Sequence, residues 1–252
     1  MSASFRLLSN RWLLPLRCRT DRVVKGKPRE DADIVHDPRV RRQSIGFWTG
    51  GFLAGAVLAR LSLIQQLDRS LSHALAAIGT AWPALNLVWV FAGFPLTVLL
   101  VGLRWLSRQP RHRWPMLGAF LGGTLVEVLF KHGLVTPFPH PTPEPFIYRQ
   151  LENWTNITPE LIRHWLGGGG PAGTPIVHHW FVGSYPSGHT FRGTYTLGVL
   201  WPRRPAVRRL GALVIGFAVL ATGGHWAIDA VGGWLLAELC LTVNDLGIPP
   251  VR

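Results

Sequence analysis

Charged side chains are scarce in this sequence of 252 residues. They make up only 15% of the chain, whereas hydrophobic residues make up 48% and tryptophan occurs twelve times. A soluble domain normally carries about 25% charged residues, which keep its surface hydrated. The scarcity therefore argues against an ordinary soluble domain and predicts a protein that faces lipid.

Cysteine is also scarce, and lysine is scarce for a chain this basic. The two cysteines, Cys18 and Cys240, lie far apart, which excludes both a disulfide framework and a zinc-binding pattern. Only three of the 26 basic residues are lysines, and one of these is Lys131. Because no spacing suits a metal and no cofactor motif is present, we predict neither a metal nor a cofactor.

The basic residues are distributed in a way that predicts topology. Six apolar runs approach the roughly 20 residues that a membrane-spanning helix needs; they lie near 44–64, 83–103, 115–135, 187–201, 207–224 and 226–246. Nineteen of the 26 basic residues fall in residues 1–43, in the turn after the second span and in the turn after the fourth. Since short cytoplasmic segments are rich in arginine and lysine, both termini are predicted to be cytoplasmic.

This distribution divides the chain into two parts. Residues 1–43 are predicted to be a basic cytoplasmic tail, and residues 44–252 an all-α integral membrane domain of six transmembrane helices in the inner (cytoplasmic) membrane. The loop 65–82, the long loop 136–186 between helices 3 and 4, and the Gly223-Gly224 turn would then be extracytoplasmic. The net charge of +13 is explained as a topology signal, so no nucleic-acid partner is predicted. The oligomeric state is left open.

The run Tyr185-Pro186-Ser187-Gly188-His189-Thr190 lies where the long polar loop gives way to an apolar run. Proline, serine and glycine at such a boundary predict a turn that opens a helix. The first N–H groups of a helix lack internal partners and favour anions, so a phosphate group suits this position. An ordinary N-cap turn would give the same pattern.

Ionisable residues inside the spans are few, and several are predicted to lie at the depth of His189: Lys131, Arg192, His225 and Asp229. His225 and Asp229 are four residues apart, which lets the carboxylate accept a proton from one ring nitrogen and leaves the other for reaction. A polar pair that joins helices would have the same spacing. Glu127 precedes Lys131 by four residues, the favourable order for an ion pair.

These residues resemble the signature motifs of the type 2 phosphatidic acid phosphatase superfamily. Pro186-Ser187-Gly188-His189 resembles its second motif, and His225-Trp226-Ala227-Ile228-Asp229 the end of its third. The run from Lys131 to Pro139 resembles the first. The likeness covers the predicted spans three to six.

The resemblance implies metal-independent phosphoryl transfer in two steps. His225 would attack phosphorus to form a phosphohistidine, Asp229 would orient its imidazole, and His189 would act as the acid and then the base. The phosphate would be held by Lys131, Ser187 and Gly188.

The chain departs from the family where two phosphate-binding arginines are expected. Phe138 replaces the arginine of the first motif, and Ala218-Val219 replaces the Ser-Arg pair of the third. We hypothesise that Arg192, one turn past His189, substitutes for one of them. The alternative is that Arg192 is a helix-packing residue paired with Glu127 or Glu238.

Three functions follow from these observations. The first is a lipid phosphatase that hydrolyses a monophosphate or pyrophosphate of polyprenyl or glycerolipid type at the extracytoplasmic face. The second is a phosphotransferase of the same fold, in which an alcohol replaces water. The third is a non-catalytic scaffold, against which the presence of His189, His225 and Asp229 argues. The lipid itself cannot be read from the sequence.

Overall fold

The computed structural model describes residues 38–82, 84–134, 136 and 183–246. Within these ranges the chain is helical and contains no strand, which confirms the predicted all-α class there. The helices are α1 Pro38–Leu58, α2 Ser62–Ala81, α3 Leu85–Ala92, α4 Phe94–Ser107, α5 Pro110–Gly133, α6 Gly188–Leu200, α7 Pro205–Ala221 and α8 Ala227–Leu246. Most of the predicted tail 1–43 and nearly all of the predicted loop 136–186 lie outside the described residues.

Four of the six predicted spans correspond to single helices, the second is divided, and the first, 44–64, passes the end of α1 at Leu58 and enters α2. Gly93 takes an extended conformation between α3 and α4, with φ −66° and ψ 158°. Pro95, in the first turn of α4, has no N–H group to donate to Phe91, and its ring would clash with the carbonyl of Phe91 if α3 continued. The apolar run 83–103 therefore forms two helices that meet at Gly93.

The segment 65–82 was predicted to be a loop, and this prediction is wrong, because α2 occupies nearly all of it. Leu63, Leu67 and Leu71 recur every four residues and line one exposed side of the helix, while Asp68 is buried. This periodicity suffices for a helix, although the segment lacks a continuous apolar run.

Length and apolar composition identify one described helix that could cross a membrane, Ala227–Asp245. A second candidate is the pair Arg39–Leu58 and Ser62–Gly79, if these helices, which are bent by 88°, form one broken span. Core helices of soluble proteins can meet the same criteria. The count of six spans therefore stays a prediction.

The polarity of α5 is inverted relative to a helix of a soluble protein. Leu121, Leu125 and Leu129 are 55–58% exposed, whereas Glu127 and Lys131 retain 2% and 5% exposure. Soluble proteins rarely bury charged residues while exposing a row of leucines. An apolar exterior around a polar interior is typical of a helix whose outer face contacts lipid.

The helix α6 lies at the centre of the described bundle. It contacts α3, α4, α5, α7 and α8, and every residue from Gly188 to Thr196 is buried. One apolar cluster, which includes Phe120, Phe191 and Leu236, joins α5, α6 and α8. A second, which includes Trp89 and Val219, joins α3 and α7 to α8. This packing places the start of α6 beside the end of α5 and the start of α8.

Candidate active site

The segment before α6 is joined by backbone hydrogen bonds to both neighbouring helices. The N–H group of Gly183 donates to the carbonyl of Lys131 at 2.8 Å, and that of Ser184 donates to Thr136 at 3.1 Å. The N–H group of Ser187 donates to the carbonyl of Asp229 at 2.9 Å. These bonds bring together the three segments that resemble the signature motifs, although long stretches of chain separate them in the sequence.

Two adjacent glycines of α8 allow this close approach. A Cβ atom on Gly233 would collide with the carbonyl oxygen of Ser187, and one on Gly232 would collide with the ring of Tyr185. The Tyr185 hydroxyl in turn donates to the carbonyl of Phe52 on α1 at 2.6 Å. The position of the turn before α6 therefore depends on α8 and α1 as well as on its own sequence.

Ser187 is the N-cap of α6, which confirms the predicted helix start. Its Oγ accepts from the Thr190 N–H at 3.3 Å and from the Thr190 hydroxyl at 3.2 Å. The Ser187 hydroxyl hydrogen is therefore left for another acceptor. The N–H groups of Gly188 and His189 belong to the first turn, whose donors have no carbonyl partner within the helix.

His225 and Asp229 form the predicted pair across the start of α8. The Nδ1 of His225 lies 3.4 Å from Asp229 Oδ2, and the same oxygen accepts from the Trp226 N–H at 3.0 Å. The ring of His189 lies 6.2 Å from that of His225, centroid to centroid. With Nδ1 facing Asp229, Nε2 is the nitrogen of His225 that is left for reaction.

Glu127 lies between the two cations of the site. Its Oε1 is 3.0 Å from the Nζ of Lys131, and its Oε2 is 2.6 Å from the Nη1 of Arg192. The pairing of Arg192 with Glu127 is thus observed, whereas Glu238 pairs with Arg208 at 2.9 Å. Two cations and one carboxylate leave a formal charge of +1 beside the start of α6.

Three buried side-chain atoms at the candidate site have no hydrogen-bond partner within the described part of the chain. They are His189 Nε2, Arg192 Nε and Asp229 Oδ1. Buried polar atoms are nearly always paired, so orphans at one place indicate a ligand or water. The pairing of Arg192 with Glu127 therefore does not use all of its donors.

Two residues near the histidines carry no signal in the sequence. The ring of Trp89 on α3 lies 4.1 Å from that of His189 and 6.3 Å from that of His225, nearly parallel to the latter at 23°. Asp68 on α2 accepts hydrogen bonds from the N–H groups of Ala227 at 3.1 Å and Ile228 at 3.4 Å. Trp89 covers the histidines, and Asp68 caps the start of α8.

Val219, which stands where the third signature motif has an arginine, lies in apolar surroundings. Val219 lies in the apolar cluster with Trp89, and its carbonyl accepts from the N–H groups of Gly224 at 3.0 Å and His225 at 3.2 Å. The side chain that replaces arginine thus contributes packing, while the backbone still positions His225. Phe138, the other departure, lies outside the described residues.

Comparisons with known proteins give one structural likeness. No protein-family model matches the chain, and no curated protein matches it. A search of solved structures finds the crystal structure of a transmembrane PAP2-type phosphatidylglycerolphosphate phosphatase from Bacillus subtilis, at 16% identity and a TM-score of 0.49, covering 83% of this chain and 99% of that one. At this score the likeness decides neither fold nor activity, and the assignment of function depends on the site residues.

Proposed function

We propose that the chain is a membrane-embedded, metal-independent phosphatase that hydrolyses a lipid phosphate or pyrophosphate through a phosphohistidine. One observation carries the proposal: two histidines, two carboxylates and two cations converge on a buried site that contains orphaned polar atoms. Phosphoryl transfer requires positioned positive charge and hydrogen-bond donors more than covalent help from the protein. The substrate class is a polyprenyl or glycerolipid phosphate.

A membrane location is supported by the distribution of polarity. The exposed leucines of α5 and the buried charges behind them suit a helix bundle surrounded by lipid. The arginine-rich turns lie at the ends of α4 and α6, and the histidines lie at the start of α6 and just before α8. With arginines on the cytoplasmic side, the histidines face the extracytoplasmic side.

In the first step, Nε2 of His225 attacks phosphorus, and the bond from phosphorus to the leaving oxygen breaks. His189 gives its Nε2 proton to that oxygen, so the lipid alcohol or lipid monophosphate leaves protonated. Asp229 stabilises the imidazole through Nδ1. Lys131, the Nε of Arg192, the Ser187 hydroxyl and the Gly188 N–H hold the non-bridging oxygens.

In the second step, neutral His189 takes a proton from a water molecule as its oxygen attacks phosphorus. The phosphorus–nitrogen bond breaks, inorganic phosphate forms, and His225 regains its neutral state. If a lipid alcohol replaces the water, the same chemistry becomes phosphotransfer.

The test is phosphate release by the full chain in detergent micelles from a panel of lipid phosphates. Wild-type protein should release phosphate in the presence of a chelator and form an acid-labile phosphoenzyme, and His225→Ala should do neither. His73→Ala is the matched control, because the side chain of His73 is exposed on α2. Phosphate found only on an added lipid acceptor would favour the transferase. Equal activity in wild-type and His225→Ala protein would refute the proposal.

A further inference from the structure

A polar cavity lies at the opposite end of the bundle from the histidines. Its volume is about 590 Å³, and it opens between the end of α4, the start of α5 and the turn between α6 and α7. α6 connects the two places, since it begins at the histidine site and ends at this cavity. Thirteen helical residues rise about 20 Å, so the cavity is separate from the candidate active site.

The lining of this cavity is strongly cationic. It includes Arg104, Arg108, Arg203, Arg204, His112 and Trp201. No carboxylate side chain lines it among the described residues. Arg203 and Arg204 are exposed, whereas Arg104 and Arg108 are half-buried, so repulsion is least screened between the latter two guanidinium groups, and an anion beside them would reduce it.

Arg108 shows this lack of compensation most clearly. Its buried Nε has no hydrogen-bond partner within the described part of the chain. Burial and the neighbouring Arg104 lower the pKa of the Arg108 guanidinium, and Asp245 at the end of α8 opposes this only in part. Arg104 is oriented by a 3.1 Å hydrogen bond from its Nε to the carbonyl of Val199. An anion in the cavity would satisfy the orphaned donor.

Tryptophans mark the same end of the bundle. Trp201 lines the cavity and is 45% exposed, and Trp114 on the first turns of α5 is 69% exposed. Exposed tryptophans beside arginines are typical of the boundary between hydrocarbon and headgroups. A requirement for cytoplasmic positive charge explains why arginines are present, but it does not require four of them to line one cavity.

We propose that this cavity binds a phosphate-bearing anion, either the headgroup of an anionic phospholipid or free inorganic phosphate. The arginines suit phosphate because guanidinium groups donate paired hydrogen bonds to its oxygens. This inference does not rest on the proposed phosphatase activity, because the cavity shares no residue with the histidine site.

The experiment compares two triple variants of the full chain in detergent micelles. Arg108→Gln, Arg203→Gln and Arg204→Gln together remove three charges from the cavity. Arg39→Gln, Arg42→Gln and Arg209→Gln remove three charges from the same end of the bundle outside the cavity. Each protein is titrated with short-chain phosphatidylglycerol, phosphatidylcholine and inorganic phosphate, and bound molecules are counted by native mass spectrometry.

The cavity variant should lose one bound anion, with affinity reduced by about 100-fold for the three charges removed, while the control changes less than threefold. Preference for phosphatidylglycerol assigns the cavity to a lipid headgroup, and saturation by inorganic phosphate without that preference assigns it to the free anion. Equal binding by wild-type and cavity variant, or equal loss in both triple variants, overturns the proposal. Because the experiment measures anion binding, absence of phosphatase activity would not contradict the proposed anion site.

Discussion

Arg192 pairs with Glu127 in the structure, and we predict that it also binds substrate phosphate. The two roles separate in a double variant. Arg192→Gln removes the charge and leaves Glu127 with Lys131 as its charged partner. A second change, Glu127→Gln, removes the carboxylate that is left behind. Both variants lack the Arg192 guanidinium, and only the double variant also lacks the carboxylate with which it pairs.

The expected magnitudes follow from the contacts. Breaking a buried ion pair costs about 3–5 kcal/mol, and the remaining contact with Lys131 places Arg192→Gln at the lower end. A hydrogen bond to a charged group contributes about 1.5–3 kcal/mol, so loss of the Nε–phosphate contact should lower kcat/KM by about 10- to 150-fold. The double variant should not regain the activity, because the guanidinium is still absent, and it should be no more stable than the single variant, because buried Lys131 then loses its carboxylate partner.

The assay is phosphate release per folded molecule, beside thermal unfolding of the same preparation. Arg208→Gln is the matched control, because Arg208 forms a partly buried pair with Glu238 at 2.9 Å near the opposite end of α6. It should lose stability and keep its kcat/KM. Wild-type activity in the Glu127→Gln/Arg192→Gln double variant would refute the phosphate role and leave Arg192 as a helix-packing residue.

Three further predictions concern the surroundings of the site. Gly188→Ala should reduce kcat/KM by at least about tenfold, because the new Cβ would collide with Glu127. The control is Gly102→Ala, at an open position on α4, which should leave kcat/KM unchanged. Asp68→Ala should lower the free energy of unfolding by about 1–2 kcal/mol through loss of the cap on α8, whereas Asp68→Asn should lose less; equal stability of all three proteins in a denaturant titration would contradict this. Trp89→Ala should change KM more than kcat, because the ring covers His189 without a chemical role, and an unchanged KM would show that substrate enters elsewhere.

Local patterns in the sequence sufficed for the helix class and for two contacts of the candidate site. Apolar runs predicted most helices, and the Pro-Ser-Gly-His run predicted the N-cap at Ser187. The spacing of His225 and Asp229 predicted their contact, because residues four apart share a helix face. Each of these features depends on neighbours within a few residues.

The helix α2 and the break at Gly93 have local signals that a criterion of continuous apolar runs does not detect: an apolar stripe, and the glycine followed by Pro95. Other features required the tertiary structure. Trp89 reaches His189, and Asp68 caps α8, through contacts between segments far apart in the chain. No local pattern encodes such contacts.

The sequence by itself identified the ionisable residues of the candidate site, since charged side chains in apolar runs are too costly to be placed without partners. It left Arg192 with two interpretations, because spacing along one helix does not identify the partner on another. Only the packing of α5 against α6 decided that Glu127 lies between Lys131 and Arg192. The same packing left Arg192 Nε without a partner in the described chain, and on this atom the predicted phosphate contact depends.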